Sequence, residues 1–383
     1  MTSPHDLRVA VVSTESRPLS NRLWYAARDK VADLRVIAPA GDEPGIPDFQ
    51  VGLETAHVLK EQLTFRRLKG MSRELDAFAP DIIHINSEPW GIPALLEFSR
   101  RPGVILHGAE NQFFTDGAKP VVRYALTQAV AGQLAGYASW NVEGARAVER
   151  MVPGIPTFVT PAIIPPPVFT PSSWRGDATD FEILLLGRLD PEKGFDRVVE
   201  AVGSLEARGS YRLTACGAGP EQQRLAELAD RLGVRLDFTG QIPAEELASR
   251  MAAAHVMVQP SLTTRPWAEQ FGRTVAEAMT VGLPALTSRS GELPNVVGDE
   301  WCTFGEDDRA ELAAKLEQLR TDRPRLEELS RQHAERARRL WSPEPASQAL
   351  VDFWARAHDY QLSRPAGRLT SLRRGLANRV LPA

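Results

Sequence analysis

Two glutamates stand eight positions apart around a predicted helix start in the second half of the chain. Glu269 precedes Gly272 and Glu277 follows it, whereas Gly282 and Pro284 form a strong helix stop signal. The pattern predicts a loop and then a helix that begins near Gly272. A helix start attracts anions, because its unpaired N–H groups and its dipole point the same way. Glu269 would lie in the loop, and Glu277 one to two turns inside the helix, on the side that can face a bound ligand.

Two cations follow a predicted strand earlier in the same half. The predicted strand Phe181–Leu186, which is mostly apolar, leads into Arg188 and Lys193, which Gly187 and Gly194 frame. Arginine can bond two oxygens with its planar fork, and lysine acts as a point charge. A strand-to-helix turn would hold both at the carboxyl edge of a sheet, where fixed cations could neutralise charge that develops on a leaving group.

The motifs together carry a family resemblance. Glu269-x7-Glu277 occurs with Phe271-Gly272, Ala278-Met279 and Gly282-Leu283-Pro284, and the chain also has Gly187-Arg188…Lys193-Gly194 and Gly217-Ala218-Gly219-Pro220. This set resembles the retaining glycosyltransferases of family 4 (glycosyl transferases group 1), which have the GT-B fold. The resemblance implies transfer of a sugar from a nucleotide-diphosphate sugar, of UDP or GDP type, to an acceptor hydroxyl with retention at the anomeric carbon.

The resemblance also implies roles for individual residues. Arg188 and Lys193 would hold the diphosphate, Glu269 would meet the sugar hydroxyls and Glu277 the ribose hydroxyls. The catalytic candidates implied are His107, Arg188, Lys193 and Glu269. The donor-binding candidates implied are Gly187, Gly217, Gly219, Gln241, Ile242, Phe271, Gly272 and Glu277. We assign no metal ligand and no cofactor, because no Asp-x-Asp stands at a predicted strand edge and the nucleotide sugar is the substrate.

Apolar runs alternate with helical segments, which predicts parallel sheets with ligand sites at the carboxyl ends of the strands. The length of 383 residues favours two domains. The predicted fold is therefore α/β of the GT-B type: two Rossmann-like domains facing each other across a cleft, with a C-terminal helix crossing back to the first. We assign residues 1–168 and helices within 344–383 to the acceptor-side domain, and 169–343 to the donor-binding domain. Glu54–Phe78 is interpreted as mostly helical.

The first domain fits the family pattern more loosely. His107 ends the predicted strand Val104–His107, at the matching place of a family histidine beside the donor sugar and acceptor; a strand-end histidine bonded to backbone is the alternative. Glu110 and Asn111 follow as acceptor-side candidates. Where the family has a Gly-Gly loop, this chain has a polar segment ending in Ser20 and Asn21. Their side chains could donate to a phosphate or sugar hydroxyl, but both residue types are also common helix caps.

Composition excludes several classes of protein. Apolar residues make up 43% and charged residues 25%, and the net charge is −4, so nothing draws the whole chain to nucleic acid. Two cysteines, Cys216 and Cys302, argue against a disulfide scaffold or a structural zinc site and fit a reducing cytosol. We expect no signal peptide and no apolar run of roughly 20 residues that would span a bilayer. The expected location is cytoplasmic.

The C-terminal segment Arg364–Arg379 has five arginines and no acid, with a stripe of apolar residues at helical spacing. Such a segment predicts peripheral contact with an anionic membrane, and a helix docked on its own protein is the alternative. The acceptor stays open between a glycan, a lipid-linked sugar and a small natural product. Two other functions also stay open, a non-catalytic GT-B subunit that binds nucleotide and an epimerase of nucleotide sugars.

Overall fold

The structure is a computed structural model that describes residues 2–13, 21–39, 48–58, 63–87, 101–109, 119–160, 165–265 and 267–364. The chain divides into two compact units. The first unit comprises Met1–Thr160 and Ser347–Ala383, and the second comprises Pro161–Ala346. The boundaries expected from the sequence are 168/169 and 343/344.

The first unit is built on one sheet. Its strands are β1 (Arg8–Val12), β2 (Asp33–Pro39), β3 (Phe49–Val58), β4 (Leu63–Lys69), β5 (Ile82–Asn86), β6 (Val104–Gly108), β7 (Leu134–Ser139) and β8 (Thr157–Val159). In the described residues the strand order is β4-β3-β2-β1-β5-β6-β7-β8, and every neighbouring pair except β3–β4 is parallel. The central strands β1, β5 and β6 are almost wholly buried, as the continuous apolar runs of a parallel sheet require.

Four helices of the first unit precede Thr160 in the described residues: α1 (Asn21–Ala27), α2 (Met71–Phe78), α3 (Lys119–Val130) and α4 (Val142–Met151). A C-terminal helix, Pro343–Ser363, joins this unit from Ser347 onwards. It packs by an apolar face, on which Phe353 stacks against Phe158 with ring centroids 5.3 Å apart. The predicted return of the last helix to the first domain is therefore confirmed.

The prediction of a mostly helical segment over Glu54–Phe78 is wrong. Strands β3 and β4 pair antiparallel from Gly52↔Lys69 to Val58↔Leu63, and only Met71–Phe78 is helical. The basic residues of this segment suggested one face of a helix. The apolar residues Val51, Leu53, Leu63 and Phe65, however, recur at every second position, which is the period of a strand.

The second unit is a doubly wound sheet. Its strands are β9 (Phe181–Leu186), β10 (Tyr211–Cys216), β11 (Leu236–Gly240), β12 (Val256–Gln259), β13 (Ala285–Ser288) and β14 (Thr303–Phe304). Their order is β11-β10-β9-β12-β13-β14, and all neighbours are parallel. The order reverses between β9 and β12, and ligands bind at the carboxyl ends of strands beside such a switch point.

The helices of the second unit are α5 (Phe195–Gly203), α6 (Gln222–Leu232), α7 (Ala244–Ala253), α8 (Arg273–Val281), α9 (Leu293–Val297), α10 (Arg309–Thr321) and α11 (Arg323–Trp341). Gly272 and Gly282 flank α8 as its N-cap and C-cap, so the helix predicted from the stop signal is confirmed. Sequence reasoning missed α11, although Asp322 caps it by accepting from the Arg325 N–H at 3.0 Å. Within the described residues, no helix combines the length and apolar character that crossing a bilayer requires.

Candidate active site

The predicted donor-side residues gather at the carboxyl edge of the second sheet. Arg188 and Lys193 follow β9, and Glu269 follows β12, the neighbouring strand at the switch point. A backbone hydrogen bond of 2.8 Å from Leu262 N to Glu192 O joins the two loops. The fold thus brings two cations and a carboxylate from separate parts of the sequence to one edge.

The Gly187–Leu189 loop rests on the turn that follows β10. Leu189 N donates to Ala218 O at 3.0 Å, and Gly187 N donates to Cys216 O at 3.1 Å. The two loops are so close that a side chain at Gly217 would lie 2.8 Å from the Gly187 carbonyl carbon and overlap its oxygen. A side chain at Gly219 would likewise lie 2.6 Å from the Leu189 carbonyl carbon. The Gly217–Gly219 turn and the Arg188 loop are therefore packed backbone against backbone.

Arg188 is the open member of this group. Its side chain is 69% exposed, and its guanidinium lies 2.8 Å from Asp190 and 3.7 Å from Glu192. Ion pairs at such an exposed position are worth at most about 1 kcal/mol. The guanidinium can therefore leave these carboxylates for an anionic ligand at little cost.

Lys193 is held much more tightly. Its Nζ lies 2.7 Å from Glu269 Oε2, and the two side chains are only 15% and 12% exposed. The same ammonium lies 4.9 Å from the centre of the Trp267 ring. A cation over an aromatic face gains further stabilisation when solvent is excluded. The pair therefore offers a fixed positive charge and a fixed carboxylate side by side.

A chain of hydroxyl and amide groups orients Glu269. Ser261 Oγ donates to Glu269 Oε2 at 3.0 Å, and Gln259 Nε2 donates to Ser261 Oγ at 2.9 Å. The backbone of Glu269 is also fixed, because its carbonyl accepts from Glu292 N at 3.0 Å. Among the described residues, no group of three or more His, Cys, Asp or Glu side chains could hold a metal ion. In the loop that follows β9, the positive side chains are those of Arg188 and Lys193.

Glu277 lies on α8 and is 7% exposed. Burial raises the pKa of Glu277 from 4.5 to about 7, and Arg273, whose Nε is 3.7 Å from Oε1, lowers it in part. Phe271, just before the helix, is buried, with its ring centroid 6.2 Å from that of Trp341. Glu277 thus titrates near neutrality, whereas the Phe271 side chain belongs to the core.

The remaining donor-side candidates lie at a third strand end. Gln241 and Ile242 follow β11 and precede α7, and Gln241 is exposed. An isolated bridge between Gly217 and Gly240 ties this segment to the β10 turn. Gln241 and Ile242 therefore follow the strand that neighbours β10 at the same sheet edge, two strands further from the switch point than β9, which the Arg188 loop follows.

His107 belongs to the first unit, near the end of β6. Its Nδ1 lies 3.1 Å from Nε2 of His84 on β5, and the residue is 6% exposed. Burial lowers the pKa of His107 to about 3. The alternative prediction was a hydrogen bond from this histidine to backbone. In the described contacts of His107, the hydrogen-bond partner is instead the imidazole of His84.

Several acceptor-side predictions lie outside the described residues, namely Ser20, Glu110 and Asn111. Asn21 begins α1, but its side chain is not described. Three functional candidates were missed: Trp267, Ser261 and His84. His84 was detectable as a lone polar residue in the apolar run Ile82–Ile85, whereas the Trp267 contact depends on loops that only the fold brings together.

The model of the family described as glycosyl transferases group 1 matches residues 169–339. A GDP-mannose-dependent alpha-(1-6)-phosphatidylinositol monomannoside mannosyltransferase of Mycolicibacterium smegmatis is 36% identical over 122 residues, which are 30% of this chain and 32% of that protein. One component of the phosphatidylinositol N-acetylglucosaminyltransferase of Arabidopsis thaliana is 27% identical over 163 residues, 42% of this chain and 35% of that protein. The chain spans about one third of the length of these two curated relatives.

Solved structures are similar over most of the chain. A glycosyltransferase from Rickettsia africae matches with a TM-score of 0.69 and 12% identity, covering 94% of this chain and 100% of that one. HepE of Anabaena, solved with UDP, matches with a TM-score of 0.64 and 15% identity, covering 90% and 99%. At such low sequence identity the structural similarity bears on the fold alone. It confirms the predicted α/β fold class of the GT-B type. The match to the glycosyl transferases group 1 family model lies within the second unit.

Proposed function

We propose that the chain is a retaining glycosyltransferase that moves a sugar from a nucleotide-diphosphate sugar to an acceptor hydroxyl. The observation that carries the proposal is the buried Lys193–Glu269 pair beside Arg188, at the ligand edge of a group 1 domain. The name of the mycobacterial relative, a GDP-mannose-dependent mannosyltransferase, supports a GDP-sugar donor. Its acceptor, a phosphatidylinositol mannoside, supports a lipid-linked acceptor here.

Each group has a defined part in the proposed reaction. As the glycosidic bond breaks, negative charge grows on the β-phosphate, and Arg188 and Lys193 stabilise it without a divalent ion. Glu269 accepts hydrogen bonds from sugar hydroxyls, and Glu277 accepts them from the ribose. The departing phosphate helps to deprotonate the acceptor on the same face, so the anomeric configuration is retained. Gln241, Ile242 and the backbone near Gly272 complete the donor site.

The test begins with a thermal-shift panel of UDP-, GDP- and dTDP-sugars on the full chain. A ligand at a hundred times its dissociation constant stabilises the folded state by about 2.7 kcal/mol, so the true donor class should stand out. The best donor is then assayed for hydrolysis and for transfer, with EDTA present throughout. We expect turnover in EDTA and a product whose anomeric configuration matches the donor. Binding without transfer to any acceptor would favour a non-catalytic nucleotide-binding protein, and an isomerised donor would favour an epimerase.

Arg188→Ala is the most informative variant for this assay, because it should lower activity without lowering the stability of the fold. Removing one preorganised charge from the leaving group should lower kcat about 100-fold. The side chain is largely exposed, so the free energy of unfolding should change by about 0.5 kcal/mol or less. Arg212, another exposed arginine paired with carboxylates, supplies the control Arg212→Ala, which should leave kcat unchanged. Equal rates in all three proteins would contradict the assignment of Arg188.

Donor binding should depend on pH through Glu277. Its pKa in the folded chain, about 7, lies above its unfolded value of 4.5. The stability that this group contributes is therefore complete below the unfolded pKa and is lost as pH rises through about 7. The carboxylate is a stronger acceptor of ribose hydroxyls than the protonated carboxyl, so the dissociation constant of the best nucleotide should rise, by at most about tenfold per unit, as pH falls below about 7. Calorimetric titration should show this slope in the wild type and a flat, weaker profile in Glu277→Gln. If the dissociation constant depended on pH in the same way in the wild type and in Glu277→Gln, the role of Glu277 would be contradicted.

We also propose that residues 365–383 contact anionic membrane at the cytoplasmic face. Arg364 itself is not part of such a surface, because its Nη1 donates to the carbonyls of Ala131 at 2.9 Å and Leu134 at 3.3 Å. The residues beyond lie outside the described range and carry four arginines and no acid. A chain without residues 365–383 should sediment less with phosphatidylserine vesicles, and salt should remove the difference. Equal pelleting of the two forms would defeat the proposal, and phosphatidylcholine vesicles supply the baseline.

A further inference from the structure

Three aromatic side chains form a buried hydrogen-bonded line in the first unit. Trp354, on the C-terminal helix, lies with Nε1 3.0 Å from Nδ1 of His84. Nε2 of His84 in turn lies 3.1 Å from Nδ1 of His107. Trp354 and His84 are fully buried, and His107 is 6% exposed. The three rings are therefore almost completely shielded from solvent, and their polar atoms interact mainly with one another.

The chemistry of the first ring fixes the protons on the other two. An indole N–H can only donate, so Nδ1 of His84 must accept and carries no proton. Burial, together with the neighbouring His107, lowers the pKa of His84 well below its usual value, so the ring is neutral and its proton sits on Nε2. That N–H donates to Nδ1 of His107, which must also be unprotonated.

The end of the line is consequently a donor. His107 is neutral as well, because burial lowers its pKa to about 3, so its single proton sits on Nε2. This Nε2 is buried and has no hydrogen-bond partner among the residues that the structure describes. A buried donor without a partner destabilises the folded chain, and a ligand oxygen placed against it would remove that penalty.

We propose that Trp354 and His84 are positioning residues that hold His107 in the Nε2–H tautomer, so that it donates a hydrogen bond to a sugar oxygen of a bound substrate and does not act as a base there. The identity of that ligand rests on the proposed function, but the tautomer does not. The chain offers a matched control in Trp24, which is also fully buried, lies edge-on to His84 with ring centroids 6.4 Å apart, and whose Nε1 has no partner among the described residues.

The decisive measurement is a long-range ¹H–¹⁵N correlation spectrum of the full chain labelled with ¹⁵N-histidine, near neutral pH. His84→Gln and His107→Gln assign the two rings among the seven histidines. We expect a protonated Nε2 and an unprotonated Nδ1 on both rings in the wild type. A proton on Nδ1 of His107, or a doubly protonated ring, would overturn the proposal without any other variant.

Two variants then test the line itself. Trp354→Phe should release His84 and shift both histidines towards a mixture of tautomers, whereas Trp24→Phe, which leaves a similar gap, should leave the tautomers unchanged. If Trp354→Phe keeps the wild-type tautomers, the indole does not set them and the proposal falls. In the transfer assay Trp354→Phe should lower kcat/KM by about tenfold, the worth of one hydrogen bond. His107→Gln, which retains an amide donor, should keep more activity than His107→Leu.

The two proposals fail separately. If the spectra show the expected tautomers but no nucleotide sugar is turned over, the proposed function is wrong and the histidine line stands. If transfer occurs but the tautomers differ or do not respond to Trp354→Phe, the histidine line is wrong and the transferase stands. A downfield change of the His107 Nε2–H signal on adding donor nucleotide sugar would link them, and no change with either substrate would remove His107 from the site.

Discussion

Lys193→Ala should lower kcat for sugar transfer by about 100- to 1000-fold and the free energy of unfolding by about 3–5 kcal/mol. The ammonium is 2.7 Å from Glu269 in a site where both side chains are at least four-fifths buried. Its removal takes a positive charge from the diphosphate and leaves a carboxylate buried without its counter-ion. Steady-state kinetics and urea unfolding of the same preparation measure both losses.

The control for Lys193 is another buried lysine of the same unit. Lys315 lies 2.7 Å from Glu311, and its side chain is 12% exposed. Lys315→Ala should destabilise the fold less, because Glu311 keeps Arg289 as a partner at 2.9 Å, and it should leave kcat of the folded fraction near the wild-type value. The double variant Lys193→Ala/Glu269→Gln should regain stability but not activity, because it removes the unpaired charge without restoring a cation. A double variant with restored activity, or Lys193→Ala with unchanged kcat, would contradict a role for Lys193 at the leaving group.

Gly217→Ala should be nearly as damaging, although the residue carries no side chain for chemistry. Its φ is 153°, and a methyl group there would overlap the carbonyl oxygen of Gly187. The Arg188 loop must then move or the β10 turn must distort, at about 2–4 kcal/mol. A displacement of about 1 Å in a positioning loop lowers the rate about 100-fold. Thermal unfolding and donor hydrolysis measure the two effects.

Gly209 provides the comparison for Gly217. It also lies beside β10, just before the strand begins, but a methyl group there meets no heavy atom within 4 Å. Gly209→Ala should therefore change the free energy of unfolding by about 0.5 kcal/mol or less and leave the rate unchanged. If Gly217→Ala behaved like Gly209→Ala, the contact between the β10 turn and the Arg188 loop would not be what positions Arg188.

Much of the fold could be predicted from the sequence, because its signals are local. Ile183–Leu186 is a continuous apolar run, and the structure has a strand over Phe181–Leu186. Gly282 and Pro284 ended α8 as expected. These cases share a physical basis, since a parallel strand buried on both faces and a helix ending in a left-handed glycine are each specified by residues next to one another.

The failures have a different physical origin. Over Glu54–Phe78 the basic residues suggest one face of a helix, whereas the alternation of Leu63 and Phe65 indicates a strand. The prediction therefore did not include the antiparallel pair of β3 and β4. The pair lies at one end of the sheet with β4 as the edge strand, and charged side chains are common on edge strands. Helix α11 was not predicted, although Asp322, which lies between it and α10, is a residue type that commonly caps helices.

The candidate site could be predicted at the level of motifs but not of contacts. The spacing of Glu269 and Glu277 led to the correct helix, and Arg188 and Lys193 to the correct sheet edge. Nothing in the spacing indicated that Lys193 would pair with Glu269, 76 positions away, or that Trp354 would reach His84, 270 positions away. Such pairs depend on which loops and helices the whole fold brings together.

The first unit is built from two separate stretches of the chain, and this affects the order in which the two units can fold during synthesis. Phe353 and Trp354 fill its core from the C-terminal helix, but a ribosome makes them only after the whole of Pro161–Ala346. The second unit can complete its own core during synthesis, as a contiguous stretch of chain. The first unit begins to be translated earlier, but it cannot acquire its last buried side chains or a finished histidine line until the chain beyond Ala346 has been made. The second unit can therefore finish folding before the first, whereas N-terminal domains usually fold first.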